Sequence, residues 1–319
     1  MLTPRRLQHL LALVNHAHFG RAAHALNISQ PALSKSIQAL EAEVGVTLLE
    51  RKHGEVIPTL FGQLVLRHSQ AALSAEADLR REIDMLTGLE TGSLKVALGP
   101  YPSILSGFAS AARLHAKHPD LDLSVHVASW REVAEHVLLR KVDLGIADIT
   151  TIRSDEQFIT EALDQNSGYF FCRPEHPILG NARISLKELV QYPWVATRFP
   201  PHVAANLPPE HSAAGSIDPL TGDFIPAIEL NVPMQLGEFL KDSNALVMAP
   251  LKVMEQALRE GRAHRLIISN FKLRVGYGFI YLRDRSLSPA SLAYMQEVRA
   301  MEAEIFAKDT VLNAELFNT

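Results

Sequence analysis

Only one cysteine, Cys172, occurs in 319 residues. No intramolecular disulfide can form, which fits a reducing compartment. Long apolar runs are missing too: no stretch approaches the roughly 20 residues that a membrane-spanning helix needs. The opening "MLTPRRLQHLLALV" imitates a secretory leader, with Arg5-Arg6 ahead of leucines. His9 interrupts that run and Asn15-His16 closes it, so an amphipathic helix is the better reading and secretion is not expected. Catalytic signatures are also absent. No Gly-x-Ser-x-Gly elbow surrounds Ser103, Ser129 or Ser243, and "GYG" at 276–278 sits in a strand pattern rather than a phosphate loop. Fourteen histidines invite a metal site. His16 and His18, two apart, cannot share a helical face, and no carboxylate or cysteine pattern joins His115 and His118. These absences exclude a recognisable enzyme and call for no metal or other cofactor. Cys172, in an apolar stretch, reads as a small buried hydrophobe rather than a redox switch.

What is present is an ordinary globular composition, 47% hydrophobic and 21% charged, in a length that suggests about two domains. The net charge is −4, unevenly spread. Residues 1–68 hold seven basic and four acidic side chains, +3, which leaves −7 for the remainder. A small basic head on an acidic body fits local contact with nucleic acid.

Within the head, "RAAHALNISQPALSKSIQALEAEVG" (21–45) carries a proline inside a helical pattern. Leu33, Ile37, Leu40 and Val44 recur at offsets of four, three and four, the period of one buried stripe. Ser29 is placed to cap this helix, and Pro31 falls in its first turn, where a missing N–H costs little. The proline therefore marks a helix start. Ala22, Ala23 and Leu26 form a shorter stripe upstream, and Leu7, Leu10, Leu11 and Val14 another, so a helix-turn-helix is expected. The opposite face of the second helix presents Gln30, Pro31, Ser34, Lys35 and Gln38 without an acid. Amides and a lysine are the groups that read base edges in a major groove. After it, "LLERKHGEVIPTLFG" (48–62) places two extended segments around His53-Gly54, a wing whose Arg51, Lys52 and His53 would meet phosphates or the minor groove.

Taken together, "FGRAAHALNISQPALSKSIQALEAEVGVTLLER" resembles the winged helix-turn-helix of LysR-type transcriptional regulators, over residues 4–65. One departure is "PTLFG" (58–62), where the family more often has a threonine, any residue, then Ala-Gly. The resemblance implies an α+β multidomain chain: a winged helix-turn-helix over 1–59, a linker and dimerisation helix over 60–88, and an effector-binding domain over 92–319. Val65, Ala72, Leu79 and Leu86 repeat every seven residues in that linker, with Ile83 adding to the stripe. Beyond "GLETGS" (88–93), strand and helix patterns alternate as a parallel α/β lobe. "LKVALG", "LDLSVHVA" and "VDLGIAD" read as its strands; helices fit Ser103 to Lys117, Trp130 to Arg140 and, last, Pro289 to Phe306. Similarity in "HPDLDLSVHVASWREVAEHVLLRKVDLGIAD" and "RDRSLSP" implies a two-lobed sensor like type 2 periplasmic binding proteins. Lobe I is expected over about 92–160 and 268–319, lobe II over 161–267. The stretch 202–226, rich in Pro, Ala and Gly, shows no period.

Ligands of open parallel sheets bind beyond the carboxyl ends of strands. That rule selects Tyr101, Pro102, Ser103, Ser129, Trp130 and Asp148 from the first lobe, and Thr197 and Arg198 from the second. These match the loops that the resemblance assigns to an effector cleft. Arg198, opposite Ser103 and Ser129, would form a polar clamp across the hinge and suit an acidic or strongly polar small molecule; a neutral sugar-like compound stays open. The expected function is a cytoplasmic LysR-type regulator, a dimer or tetramer, that binds dyad-symmetric double-stranded DNA, answers to a small-molecule effector and contacts RNA polymerase, with no membrane partner. Two alternatives stay open: an architectural DNA-binding protein with a vestigial sensor, and a solute-binding protein or enzyme bearing a fortuitous head.

Overall fold

The computed structural model describes residues 3–52, 55–69, 79, 92–163, 166–181, 184–208, 211–231, 233–268 and 273–317. Among them no helix is long and apolar enough to cross a membrane. The chain forms two compact units, residues 1–87 with 139–141, and residues 88–138 with 142–319.

The first unit opens with three helices, α1 (Pro4–His16), α2 (Phe19–Ala25) and α3 (Gln30–Val44). Their stripes meet in one core of Leu7, Leu10, Leu13, Ala22, Ala23, Leu33, Ile37 and Leu40, joined by Leu48 and Val56. Each start has its own device. Pro4 opens α1, the His18 ring accepts from the backbone N–H groups of Gly20 and Arg21, and Ser29 Oγ accepts from the Ala32 N–H at 3.4 Å. Gly45 ends α3 in the left-handed region, φ 74°, which glycine enters without Cβ strain. The wing is an antiparallel pair, β1 (Leu49–Lys52) with β2 (Glu55–Pro58), Lys52 opposite Glu55. Glu41 on α3 anchors its base by accepting from the Leu48 and Leu49 N–H groups at 2.7 and 3.2 Å.

Helix α4 starts at residue 60 and is described through 69. Thr59 caps it, accepting from the Gly62 N–H at 3.0 Å while donating to the Thr47 carbonyl at 2.8 Å. The departure noted in "PTLFG" resolves here: Phe61 faces solvent, and Gly62 lies so close to Leu48 that a Cβ would stand 2.0 Å from its carbonyl oxygen. Of the expected linker stripe, Val65 is half-buried on α4 and Leu79 is 59% exposed; Ala72, Ile83 and Leu86 lie outside the described residues.

In the second unit, β3 (Ser93–Leu98) leads into α5 (Pro100–Pro102), a wide π turn (Ser103–Gly107) and α6 (Phe108–Lys117). Then come β4 (Asp122–Val127), α7 (Trp130–Leu138), β5 (Leu144–Asp148) and β6 (Phe158–Ala162). The chain next builds β7 (Asn166–Cys172), α8 (Leu186–Leu189), β8 (Trp194–Ala196), α9 (Pro201–Ala204), β9 (Gly215–Ile217), β10 (Phe224–Pro226) and β11 (Ile228–Glu229). It continues through β12 (Leu246–Pro250), α10 (Leu251–Arg259), β13 (His264–Arg265) and β14 (Leu273–Val275), and ends with β15 (Tyr277–Leu282) and α11 (Pro289–Phe317).

Two sheets result, ordered β4-β3-β5-β15-β6 and β11-β8-β12-β7-β13, with β14 also on β7. The inner strands β5 and β12 are apolar on both faces and buried throughout, except for a partly exposed Asp148, as strands covered on both sides must be. Neither lobe is purely parallel. β15 runs antiparallel to β5 and β6, and β7 antiparallel to β12. Each lobe receives a strand from a chain that has crossed between them, which reverses its direction. The return into the first sheet comes at Tyr277, because β14 still belongs to the second, later than the change at 268 expected from the sequence. The crossing segments touch: the Leu163 N–H donates to the Tyr277 carbonyl at 3.0 Å. The last helix runs to Phe317 rather than Phe306, held by Leu312 in the core and by Leu316 and Phe317 packed against it. The patternless stretch 202–226 holds the end of α9 and the β9–β10 hairpin.

Candidate functional site

On α3 the stripe Leu33, Ile37 and Leu40 is buried, which turns the other face out: Ser29, Gln30, Pro31, Lys35 and Gln38 are exposed and Ser34 half-exposed. Capped at one end by Ser29 and at the other by Gly45, the helix presents these groups on a fixed rod. Behind it, His9 Nδ1 lies 2.7 Å from Ser36 Oγ, and burial pushes its ring pKa below the ordinary value. Arg51 and Lys52 belong to β1; His53 lies outside the described residues.

The second unit contains a cleft between its lobes, open to solvent at its mouth and lined by residues of both. The first lobe supplies the turn after β3 with Tyr101 and Pro102, the start of α7 with Ser129 and Trp130, and Asp148 at the end of β5. The second supplies Thr197, Arg198 and Phe199 after β8, His202 and Val203 on α9, Glu229, and Met248 on β12. Seven of the eight sequence-selected cleft residues line it. Ser103 does not: the helical path begins at Pro100, so Ser103 falls in the next turn, buried, its hydroxyl donating to the Pro100 carbonyl at 2.7 Å. Ser129 caps α7 reciprocally, its N–H donating to Glu132 at 2.8 Å and its Oγ accepting from the Glu132 N–H at 3.4 Å.

Arg198 reaches the cleft but does not clamp it. Its Nε donates to Glu229 at 3.0 Å and its other side faces Asp218 at 3.4 Å, both in its own lobe. The bonds that do cross are ones the sequence did not announce. Tyr101 O–H donates to the Met248 carbonyl at 2.8 Å, and Arg131 grips Asp223 through two bonds of 2.9 Å. No sequence signal pairs Arg131 with a carboxylate 92 positions away. Burial holds the Asp148 carboxyl above its usual range, opposed by the Thr150 N–H and by His202.

Residues 4–63 match the bacterial regulatory helix-turn-helix protein domain, lysR family, and residues 87–303 the LysR substrate binding domain. The chain belongs to the LysR family of transcriptional regulators. This LysR-type chain is 36% identical over 293 residues to the SDS degradation transcriptional activation protein of a Pseudomonas strain, covering 91% of this chain and 93% of that one. Its fold is shared with full-length CbnR solved with its target DNA, at TM-score 0.60 and 18% identity, covering 94% and 100% of the two chains. LysG of Corynebacterium glutamicum with bound effector Arg is similar at TM-score 0.56 and 16% identity, covering 95% and 99%.

Proposed function

We propose that α3 reads operator bases through Gln30, Ser34, Lys35 and Gln38, with Ser29 and Pro31 beside the backbone and Arg51, Lys52 and His53 steadying the wing. The observation that carries this is the exposed, acid-free face of a helix capped at both ends. CbnR, a relative in fold, is seen with its target DNA. Residues 60–88 join two copies in the cytoplasm, so that paired heads meet a dyad-symmetric duplex, and the assembled complex has RNA polymerase within reach.

The inter-lobe cleft takes a small-molecule effector, as LysG takes Arg. A ligand that prefers one lobe arrangement shifts the population of head spacings, and with it the DNA geometry that the assembly favours. A metabolite screen by thermal unfolding, repeated on Val203→Trp to fill the cleft, tests this half of the reading; hits that survive the substitution refute it.

DNA reading is tested by gel shift on cognate and scrambled duplexes. Lys35→Ala should cost about 1–3 kcal/mol on the cognate site alone. Lys52→Ala should weaken both duplexes and flatten the salt dependence. Equal losses on both duplexes for Lys35→Ala would remove it from base reading.

A further inference from the structure

Two arginines near the cleft, Arg198 and Arg131, are already satisfied by carboxylates. Arg198 is held by Glu229 and Asp218, and Arg131 by Asp223. Among the described residues Asp148 is the cleft carboxylate with no lysine or arginine bonded to it; Arg153 acts on it only through space. Its Oδ1 accepts from the Thr150 N–H at 2.9 Å, and its Oδ2 faces His202 Nε2 at 3.9 Å. That gap is too wide for a hydrogen bond, yet one heavy atom placed beside it lies within bonding reach of both. Around the pair the walls are apolar, with Tyr101, Trp130, Phe199 and Met248 prominent.

We propose, on the reading of this cleft as the effector site, that its ligand is an apolar molecule carrying a hydrogen-bond-donating head, a hydroxyl or an amine, seated between Asp148 and His202. A hydroxyl donates to Asp148 and accepts from the ring; an ammonium donates to Asp148 and gains its charge. An organic acid, the class that Arg198 suggested from sequence, would set its carboxylate against Asp148, with Arg198 and Arg131 both held by carboxylates of their own.

The test uses the full chain and matched probes: 1-hexanol, hexylamine and hexanoate, then benzyl alcohol, benzylamine and benzoate. Thermal unfolding and calorimetry at neutral pH should show the alcohol or the amine of at least one set binding about tenfold or more tighter than its carboxylate. Asp148→Asn should weaken the amine and strengthen the carboxylate, a reversal that misfolding cannot imitate; circular dichroism checks the fold. Val203→Trp should abolish binding of every probe. A preference for carboxylates that Val203→Trp removes overturns the ligand class and leaves the cleft in place as the site. Binding that ignores Val203→Trp overturns the cleft reading itself. Silence from all six probes overturns the ligand class, and the metabolite screen then bears on the cleft alone.

Discussion

Arg131→Ala leaves Asp223 without its guanidinium, and the Asp223 side chain is 0% exposed. The arginine gives it Nε and one terminal nitrogen, each at 2.9 Å, and that nitrogen also reaches the Thr221 carbonyl at 3.1 Å. Deleting one partner of a buried ion pair costs about 3–5 kcal/mol, because a desolvated charge stays behind. Here the Arg131 side chain is 43% exposed. Water can enter from its side, which lowers the expected loss to about 2–3 kcal/mol. The guanidinium also lies 4.2 Å above the Trp130 ring, and losing that contact adds about 0.5 kcal/mol. Urea unfolding followed by tryptophan fluorescence suits the measurement, since the two tryptophans of the chain, Trp130 and Trp194, sit one in each lobe. Arg131→Met combined with Asp223→Asn removes both charges and should recover all but about 1 kcal/mol. A single variant within about 0.5 kcal/mol of the parent, or a double variant no better than the single, refutes the idea that this pair straps the lobes.

Gly62→Ala forces a Cβ onto the Leu48 carbonyl; it should destabilise the first unit by at least about 2 kcal/mol in chemical denaturation, whereas Phe61→Ala, exposed, should cost under about 0.5 kcal/mol. Asp309 titrates at about 6 in the folded chain, raised by burial ahead of repulsion from Glu255 and Glu302. Its protonated form therefore favours folding at low pH, and that advantage fades as pH climbs through about 4 to 6. Asp309→Asn should accordingly stabilise the chain by about 1 kcal/mol at neutral pH, allowing for its partial exposure, and change little near pH 4; equal effects at both pH values would place the cause elsewhere. On the proposal that residues 60–88 join two copies, Leu79→Glu with Leu86→Glu should lower the sedimenting mass to that of a monomer and sharply reduce operator affinity, and an unchanged profile would refute that proposal.

What could be read from the sequence was local. Ser29, Pro31 and the stripe at 33, 37, 40 lie within one turn or a few of the structure they dictate, so α3 and its exposed face follow from spacing alone. The carboxyl-end rule placed all but one of its chosen residues in the cleft for the same reason: Tyr101, Trp130 and Asp148 closely follow or end strands. Direction and partnership were not local. Nothing in "VGYGFIYL" says that the strand enters the sheet antiparallel, since that depends on where the chain has crossed. Arg198 looked free because Glu229 and Asp218 lie 31 and 20 positions away, in segments too short to carry a period. Asp223 and His202 fall within the patternless 202–226, where strands of three residues and a single helical turn leave no signal.

Cys172 closes the core of the second sheet, fully buried, its thiol pushed up to about 12 by burial. At neutral pH such a group offers almost no thiolate to an alkylating reagent. Because no other sulfhydryl exists in the chain, every cysteine introduced on the surface becomes a uniquely addressable attachment point without first deleting a native one. A dye pair on Leu138 and Leu220, both exposed and one in each lobe, would turn ligand-dependent lobe movement into a distance read directly in solution.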